Sequence, residues 1–422
     1  MNVTISPCRT ISGEITAPPS KALTHRALIA GLLSNGITEL VNPLHCDDTH
    51  ATSNAVRALG AKVDFETGKW NVLSRGVISA PQNPVDCGQS GVTLRFLLPI
   101  ASVTGERVML RANETLIRRP LKALQDALKQ LGVDVVVDGH NVIVDGSPKG
   151  GVVSIRGDVS SQFISGLLLA GSVMEDGLDL QLTTPLESKN YVALTLEVMK
   201  QHGILSESNP EMTQIRIRSG QRYSPFKHVV HGDYSSAAFL LAAAAVTQSE
   251  VLVHDLLESQ GEPDAVLLQI LTHMGATVRF LDDAVILEGT DLKGVQADVH
   301  DCPDLGPILA VLGCYADGDT TIMEASRLRY KESDRLEAIT VELSALGVEI
   351  SEKTDRLIVR GPCSPRGGVV QSHNDHRIAM ALSVAALGAD GDVTIKNAEC
   401  VSKSYPNFFH DLKSLGVSVI ER

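Results

Sequence analysis

Two kinds of helical stretch alternate along the 422 residues. One is apolar on every side and rich in Ala and Leu, as in Phe239 to Val246; the other carries apolar positions on a single face. A helix that is apolar all round is predicted to be buried, and an amphipathic one to cover a core. The apolar helices are expected to start near Lys21, Gly91, Ser161, Ser235, Asp304 and Asp375. Their entries are Pro19-Ser20, Gln89-Ser90, Ser160-Ser161, Tyr234-Ser235, Pro303-Asp304 and Asn374-Asp375, residue types that satisfy the free N–H groups of a first turn.

The amphipathic helices are expected to stop at Gly60, Gly132, Gly203, Gly275, Gly347 and Gly416, because the residue after a C-cap commonly takes a left-handed conformation. These marks recur about every 70 residues. After the first five comes a hairpin-like pair of strands, for example Asp134 to Val137 and Val142 to Val144 around Asp138-Gly139-His140-Asn141. Each unit therefore reads βαβαββ. Six units make an α/β protein of two domains with three repeats each, or alternatively a line of stacked repeats; the length by itself favours two cores. In a triad the buried helices run side by side with their N-termini at one end, which concentrates positive dipole ends where an anion can bind.

Composition narrows the classes. With 43% hydrophobic and 21% charged residues the chain reads as ordered and globular. No apolar run approaches the roughly 20 residues of a membrane span, and no basic-then-apolar leader opens the sequence, so a cytosolic location is expected. The seven cysteines are scattered and never form a CxxC pair, which suggests reduced thiols and neither a disulfide framework nor a zinc site. A formal net charge of −13 disfavours nucleic acid and anionic lipid as partners. Any anionic ligand must then be held by a local cluster of cations.

Such cations stand at the helix entries. Lys21 and Arg26 follow Pro18-Pro19-Ser20; Cys87-Gly88-Gln89-Ser90-Gly91-Val92-Thr93-Leu94-Arg95 resembles a phosphate-cradling loop, although Gly-Gln-Ser-Gly is also an ordinary turn. In Arg118-Arg119-Pro120 one arginine can grip a phosphate or carboxylate with two parallel bonds and the other reads as solvated, while Pro120 suits the first turn of the next helix. Ser160-Ser161-Gln162 offers neutral hydrogen bonds to a phosphoryl group; in the similar Asp233-Tyr234-Ser235-Ser236, a plain cap is favoured. If Arg329 to Arg335 is helical, Lys331 and Arg335 share a face flanked by Glu332 and Asp334, which is also how a salt-bridged surface helix would look. With Asp304, Arg377 and Lys403 these segments supply an acid, a base and several cations, with no nucleophilic triad and no metal-ligand spacing.

Taken together, Ser20-Lys21 with Arg26, Gly88 to Arg95, Arg119-Pro120, Ser160 to Gln162, Ser188-Lys189-Asn190-Tyr191, Pro303-Asp304, Lys331 to Arg335, Asn374 to Arg377 and Lys403 resemble the enolpyruvyl transferase superfamily, within it the 5-enolpyruvylshikimate-3-phosphate synthases. The resemblance spans the chain. It implies an inside-out α/β barrel arrangement of buried parallel helices in each of two domains, residues 20–230 and residues 1–19 plus 231–422, with the ligand cleft between them. It implies that shikimate 3-phosphate lies against Lys21, Ala22, Arg26, Ser160, Ser161, Gln162, Ser188, Tyr191, Asp304, Arg327 and Lys331, and phosphoenolpyruvate among Lys21, Gly91, Arg119, Gln162, Arg335, Arg377 and Lys403. In the implied addition–elimination, Asp304, aided by Lys403, is the candidate base and Glu332 the candidate acid, with Lys21 among the catalytic cations. A metal-free, cofactor-free monomer is expected.

Four positions depart from the family pattern: Ala22 for a frequent Ser, Gln89 for Asn, Val92 for Thr, and Arg327 for Asn. Gly91 is the open form of the loop that leaves room for the inhibitor glyphosate, so inhibition is expected. Three rivals carry different signatures. The sister enzymes acting on UDP-N-acetylglucosamine usually have a Cys loop ahead of the Arg-Pro pair, and Glu114 to Arg119 has none; an RNA 3′-phosphate cyclase would need a basic stripe; a non-catalytic anion binder would release no phosphate.

Overall fold

The computed structural model describes residues 1–258 and 261–422. The chain divides into two compact units, Met1–Pro18 with His231–Arg422, and Pro19–Val230. Each has its own continuous hydrophobic core, and the single tryptophan, Trp70, is fully buried in the second.

Six apolar helices fill these cores: Lys21–Leu33, Gly91–Ser102, Ser161–Gly171, Tyr234–Val246, Gly306–Tyr315 and His376–Ala385. Amphipathic helices lie outside them, among them Asp47–Ala58, Lys122–Gln130, Lys189–Gln201 and Arg335–Ala345. All six expected stop glycines have positive φ, from 83° at Gly132 to 111° at Gly60 and Gly275, a region where a Cβ would be strained. A Cβ added to Gly166 would lie 2.7 Å from the Arg95 carbonyl oxygen, so the second and third buried helices approach each other at a point only glycine permits.

Among the described residues there are six four-stranded sheets of one plan. Gly151–Ile155 runs parallel to Leu178–Leu182 across the Ser161–Gly171 helix; Leu178–Leu182 is antiparallel to Gln214–Ile217, which forms a hairpin with Ser206–Ser208. This is the expected βαβαββ repeat, gathered around one core in each of the two compact units. Three strands break the simple order. Gly13–Thr16 precedes the Lys21–Leu33 helix in sequence but pairs with Glu250–His254, and Lys227–Val229 precedes Tyr234–Val246 but pairs with Asn35–Val41. Asn2–Ile5 inserts between Val393–Lys396 and Val419–Glu421 and completes the sixth sheet. At both passages between units, therefore, the leading strand stays behind while its helix goes on, a pattern invisible to local periodicity because strand pairing is non-local.

All seven cysteines are free. Among the described residues no helix is long and apolar enough to cross a membrane.

Candidate active site

In the Pro19–Val230 unit the helix entries are capped as their sequences suggest: the Ser20, Ser90 and Ser160 hydroxyls accept from the N–H groups of Leu23, Thr93 and Gln162. Lys21, at the first position of its helix, donates to Asp48 Oδ2 at 3.1 Å, and both side chains are largely shielded from solvent. Arg26 is buried and directs its donors to Thr195 Oγ1 at 2.8 Å and to the carbonyls of Ala22 and Tyr191 at 2.8 and 2.9 Å. It thereby ties the Lys21–Leu33 helix to the Lys189–Gln201 helix, whose N-cap, Ser188, holds a left-handed φ of 54°. Tyr191 is half-buried on that helix.

Gly91, Arg95, Arg119 and Gln162 come together. Arg95 donates to Gln162 Oε1 at 2.8 Å, and a Cβ built on Gly91 would meet Arg119 Nη1 at 3.1 Å, Arg95 Nη1 at 3.7 Å and Gln162 Oε1 at 3.7 Å. Of the adjacent arginines, Arg119 is buried, whereas Arg118 is exposed and paired with Glu114 one turn back. The following helix begins only at Lys122, so Pro120 lies ahead of its first turn and holds the approach instead. Ser160 is half-buried and Ser161 buried beside Gln162. The second and third entries thus present two guanidiniums, an amide and free helical N–H groups to one small volume.

In the other unit the remaining candidates form a buried ionic cluster. Arg335, 1% exposed, donates to Asp375 Oδ2 at 2.8 Å and Oδ1 at 3.2 Å, to Asp304 Oδ1 at 2.8 Å and to Glu332 Oε2 at 2.7 Å. Lys331 reaches the same Asp304 oxygen at 3.2 Å, and Arg377 lies 3.5 Å from the other. Arg377 also donates to the Ser235 carbonyl at 2.6 Å. Residues at the entries of all three apolar helices of this unit therefore converge on one point. Lys403 is buried and donates to the Asn374 carbonyl, and Arg327 is half-buried.

Three local expectations are corrected here. Arg329 to Arg335 is not a helix: a 3₁₀ turn covers Ser326–Tyr330, and a new helix starts at Arg335 with Asp334 as its N-cap, accepting from Glu337 N–H at 3.1 Å. Lys331 and Arg335 meet at Asp304 because the chain turns between them, not through a shared helical face. The fifth apolar helix starts at Gly306 with no side-chain cap, after a 3₁₀ turn at Pro303–Leu305; the Asp304 carboxylate accepts from cations instead. In the fourth, the capping oxygen belongs to Asp233, which accepts from Ser236 N–H at 3.1 Å.

Electrostatics follow from this geometry. Burial alone would raise the Asp304 carboxyl, but Lys331, Arg377 and Arg335 together hold it well below the usual range. Burial lowers the Lys331 ammonium, with Asp304 opposing and Arg335 and Arg327 reinforcing. Burial disfavours charge on Arg335 and Arg377 too, yet the carboxylates around them hold both above the ordinary guanidinium value. Asp264, fully buried and bonded by the Ser235 hydroxyl, is pushed up to about 7, first by burial and next by the charge of Asp304. Glu332 is an acceptor from Arg335 in this structure.

Sequence reasoning did not single out Asp48, Arg95, Asp264 or Asp375 as site residues. Arg95 carries a readable signal, since it lies one turn after Gly91 on the same helix; the three acids look like first-turn residues until folding sets cations against them. Among the described residues no group of three His, Cys, Asp or Glu side chains is placed to hold a metal ion.

The family model for EPSP synthase (3-phosphoshikimate 1-carboxyvinyltransferase) matches residues 5–412. The chain belongs to the EPSP synthase family. Relatives named 3-phosphoshikimate 1-carboxyvinyltransferase from Methanococcus maripaludis and Methanocaldococcus jannaschii are each 38% identical over 418 residues, 97% of either chain. One from Natronomonas pharaonis is 40% identical over 437 aligned positions, 99% of both chains. The EPSP synthase of Acinetobacter baumannii superposes with a TM-score of 0.82 at 26% identity over the full length of both chains. The enolpyruvyl transferase NikO of Streptomyces tendae has the same TM-score at 21% identity, over 99% of this chain and 98% of its own, and shares the fold.

Proposed function

We propose that this chain transfers the enolpyruvyl group of phosphoenolpyruvate to the 5-hydroxyl of shikimate 3-phosphate and releases phosphate, a step of the shikimate pathway. Membership of the EPSP synthase family over nearly the whole chain supports the reaction. The observation that carries the mechanism is the convergence of Lys331, Arg335 and Arg377 on Asp304, with Glu332 on the same guanidinium.

The reaction brings two polyanions together, so the protein must first offset their charge; Lys21, Arg119, Arg335, Arg377 and Lys403 do this as preorganised cations. Phosphoenolpyruvate is held by these five with Gly91 and Gln162. Shikimate 3-phosphate is held by Lys21, Ala22, Arg26, Ser160, Ser161, Gln162, Ser188, Tyr191, Asp304, Arg327 and Lys331. Asp304 takes the proton of the 5-hydroxyl as its oxygen attacks C2, and Glu332 delivers a proton to the methylene carbon. In the second step the resulting methyl carbon returns a proton to the Glu332 carboxylate, the bond between C2 and the phosphate oxygen breaks, and phosphate leaves. Phosphate release from phosphoenolpyruvate, measured with and without shikimate 3-phosphate, tests the whole: release that does not depend on the acceptor refutes it.

Two substitutions test the parts. Gly91→Ala puts a methyl 3.1 Å from Arg119 Nη1, so the guanidinium must give way by a few tenths of an ångström. KM for phosphoenolpyruvate is expected to rise about tenfold, with KM for shikimate 3-phosphate unchanged. An unaltered KM for phosphoenolpyruvate removes Arg119 from that site. Glu332→Gln keeps size and removes the transferable proton, so turnover is expected to fall by about 10²-fold or more with binding nearly retained; an unchanged kcat eliminates Glu332 as the acid.

A further inference from the structure

His25, Thr52, Thr93 and Ser90 are all essentially inaccessible, none more than 1% exposed, and they are joined in one chain of hydrogen bonds. His25 Nδ1 lies 2.7 Å from Thr52 Oγ1, Thr52 Oγ1 2.6 Å from Thr93 Oγ1, and Thr93 Oγ1 2.7 Å from Ser90 Oγ. Ser90 Oγ also accepts from Thr93 N–H at 3.2 Å and so caps the Gly91–Ser102 helix.

The direction of the protons follows from counting donors. Thr93 donates its hydroxyl proton to Ser90, so at Thr52 it can only accept; Thr52 gives its one proton to Thr93 at 2.6 Å, the Asp48 carbonyl at 3.4 Å being the far longer alternative, and must in turn accept from His25 Nδ1–H. His25 is then the neutral Nδ1–H tautomer with a bare Nε2, and Nε2 has no partner among the described residues. An unpaired acceptor is the less costly way to leave one ring nitrogen buried. A second proton there would sit unbonded near two cations; burial first, then Lys21 and Arg26, hold the imidazole well below its usual value.

Placement gives this chain a purpose. His25 is one turn after Lys21, and Thr52 is one turn after Asp48, so Lys21–Asp48 and His25–Thr52 form two successive rungs between the same two helices. Thr93 carries the second rung on to the turn at Gly88–Gly91. No backbone hydrogen bond links the Lys21–Leu33 helix directly to the Gly91–Ser102 helix in this region of the described residues. Without the Thr52 hydroxyl, Thr93 loses its donor and its own hydroxyl can turn to the carbonyl one turn back, as threonines in helices do, giving up its bond to Ser90 Oγ.

We propose that His25, Thr52, Thr93 and Ser90 are positioning residues: their one-way relay sets Lys21 and the Gly88–Gly91 turn in register, so that ammonium and backbone N–H groups meet the same phosphoenolpyruvate. This rests on the reaction proposed above. The test is steady-state kinetics on Thr52→Val, which keeps the shape and removes the relay, against Thr52→Ser, which keeps the hydroxyl. Thermal melts are followed in parallel. Thr52→Val is expected to raise KM for phosphoenolpyruvate by about tenfold without changing KM for shikimate 3-phosphate, and Thr52→Ser to restore the parental value. A lowered melting temperature with both KM values unchanged, or equal defects in Val and Ser, means ordinary packing and overturns the relay. Should Thr52→Val fail to fold, Thr93→Val with Thr93→Ser carries the same comparison. The parental chain is assayed first: if it releases no phosphate the reaction itself is wrong and the relay falls with it, whereas normal parental release with indifferent variants overturns the relay alone.

Discussion

Arg335→Met is expected to cost about 3–5 kcal/mol of stability, because removing one partner of a buried ion cluster leaves the others uncompensated. The guanidinium is 1% exposed and donates four hydrogen bonds to three carboxylates, of which Asp375 is completely buried. Methionine replaces most of the stem's volume, so little cavity energy enters; the loss comes from Asp375, Asp304 and Glu332 facing one another without that cation. Arg335→Lys keeps the charge but not the fork that engages Asp375 with two nitrogens, and is expected to fall between. Trp70 lies in the other unit, so its fluorescence is the wrong probe. Hydrogen exchange across His376–Ala385, with urea unfolding by far-UV circular dichroism, reads the unit concerned, and an unchanged midpoint with normal exchange would refute the expectation.

The second large effect is on turnover. Asp304→Asn is expected to lower kcat by about 10²–10⁴-fold, the usual worth of a positioned general base, with a smaller change in KM. As folded here Asp304 is a poor base, since Lys331, Arg377 and Arg335 outweigh the effect of burial and hold its carboxyl well below the ordinary aspartate range. In the mechanism proposed above, substrate phosphate and carboxylate groups draw Lys331 and Arg377 toward themselves, which makes the carboxylate more basic as the hydroxyl arrives. The same depression has a stability sign. A carboxyl depressed on folding stabilises the fold above its unfolded value and loses that contribution as pH falls through the lower folded value. Asp304 therefore supports the fold throughout the neutral range and down past the ordinary aspartate value, and the Asn variant is expected to show less acid destabilisation than the parent below that point. A kcat within a few-fold of the parent would remove Asp304 from proton transfer.

Much of the architecture is present in local patterns. The six glycines that end the outer helices, the uninterrupted Ala/Leu runs and the small polar caps each express a short-range rule, and short-range rules survive translation along the chain. That is why six copies are visible in one sequence. Arg119 against Arg118 shows the limit of such reading: adjacent and chemically identical, one is buried beside Gly91 and the other pairs with Glu114 at the surface. Lys331 and Arg335 show it again, brought together by a turn of the chain where one continuous helix would have set them on a shared face.

What the amino-acid sequence alone determined was the repeat, the burial of one helix in each pair and the set of cations at helix entries, because these depend on neighbours within a few turns. Tertiary structure decided which carboxylate faces which cation, which strand completes which sheet, and how His25 is wired through Thr52 to Ser90. The reason is physical: a carboxyl's proton affinity and an arginine's role depend on burial and on charges within a few ångströms, and those neighbours come from residues such as Asp304 and Asp375 that lie 71 positions apart.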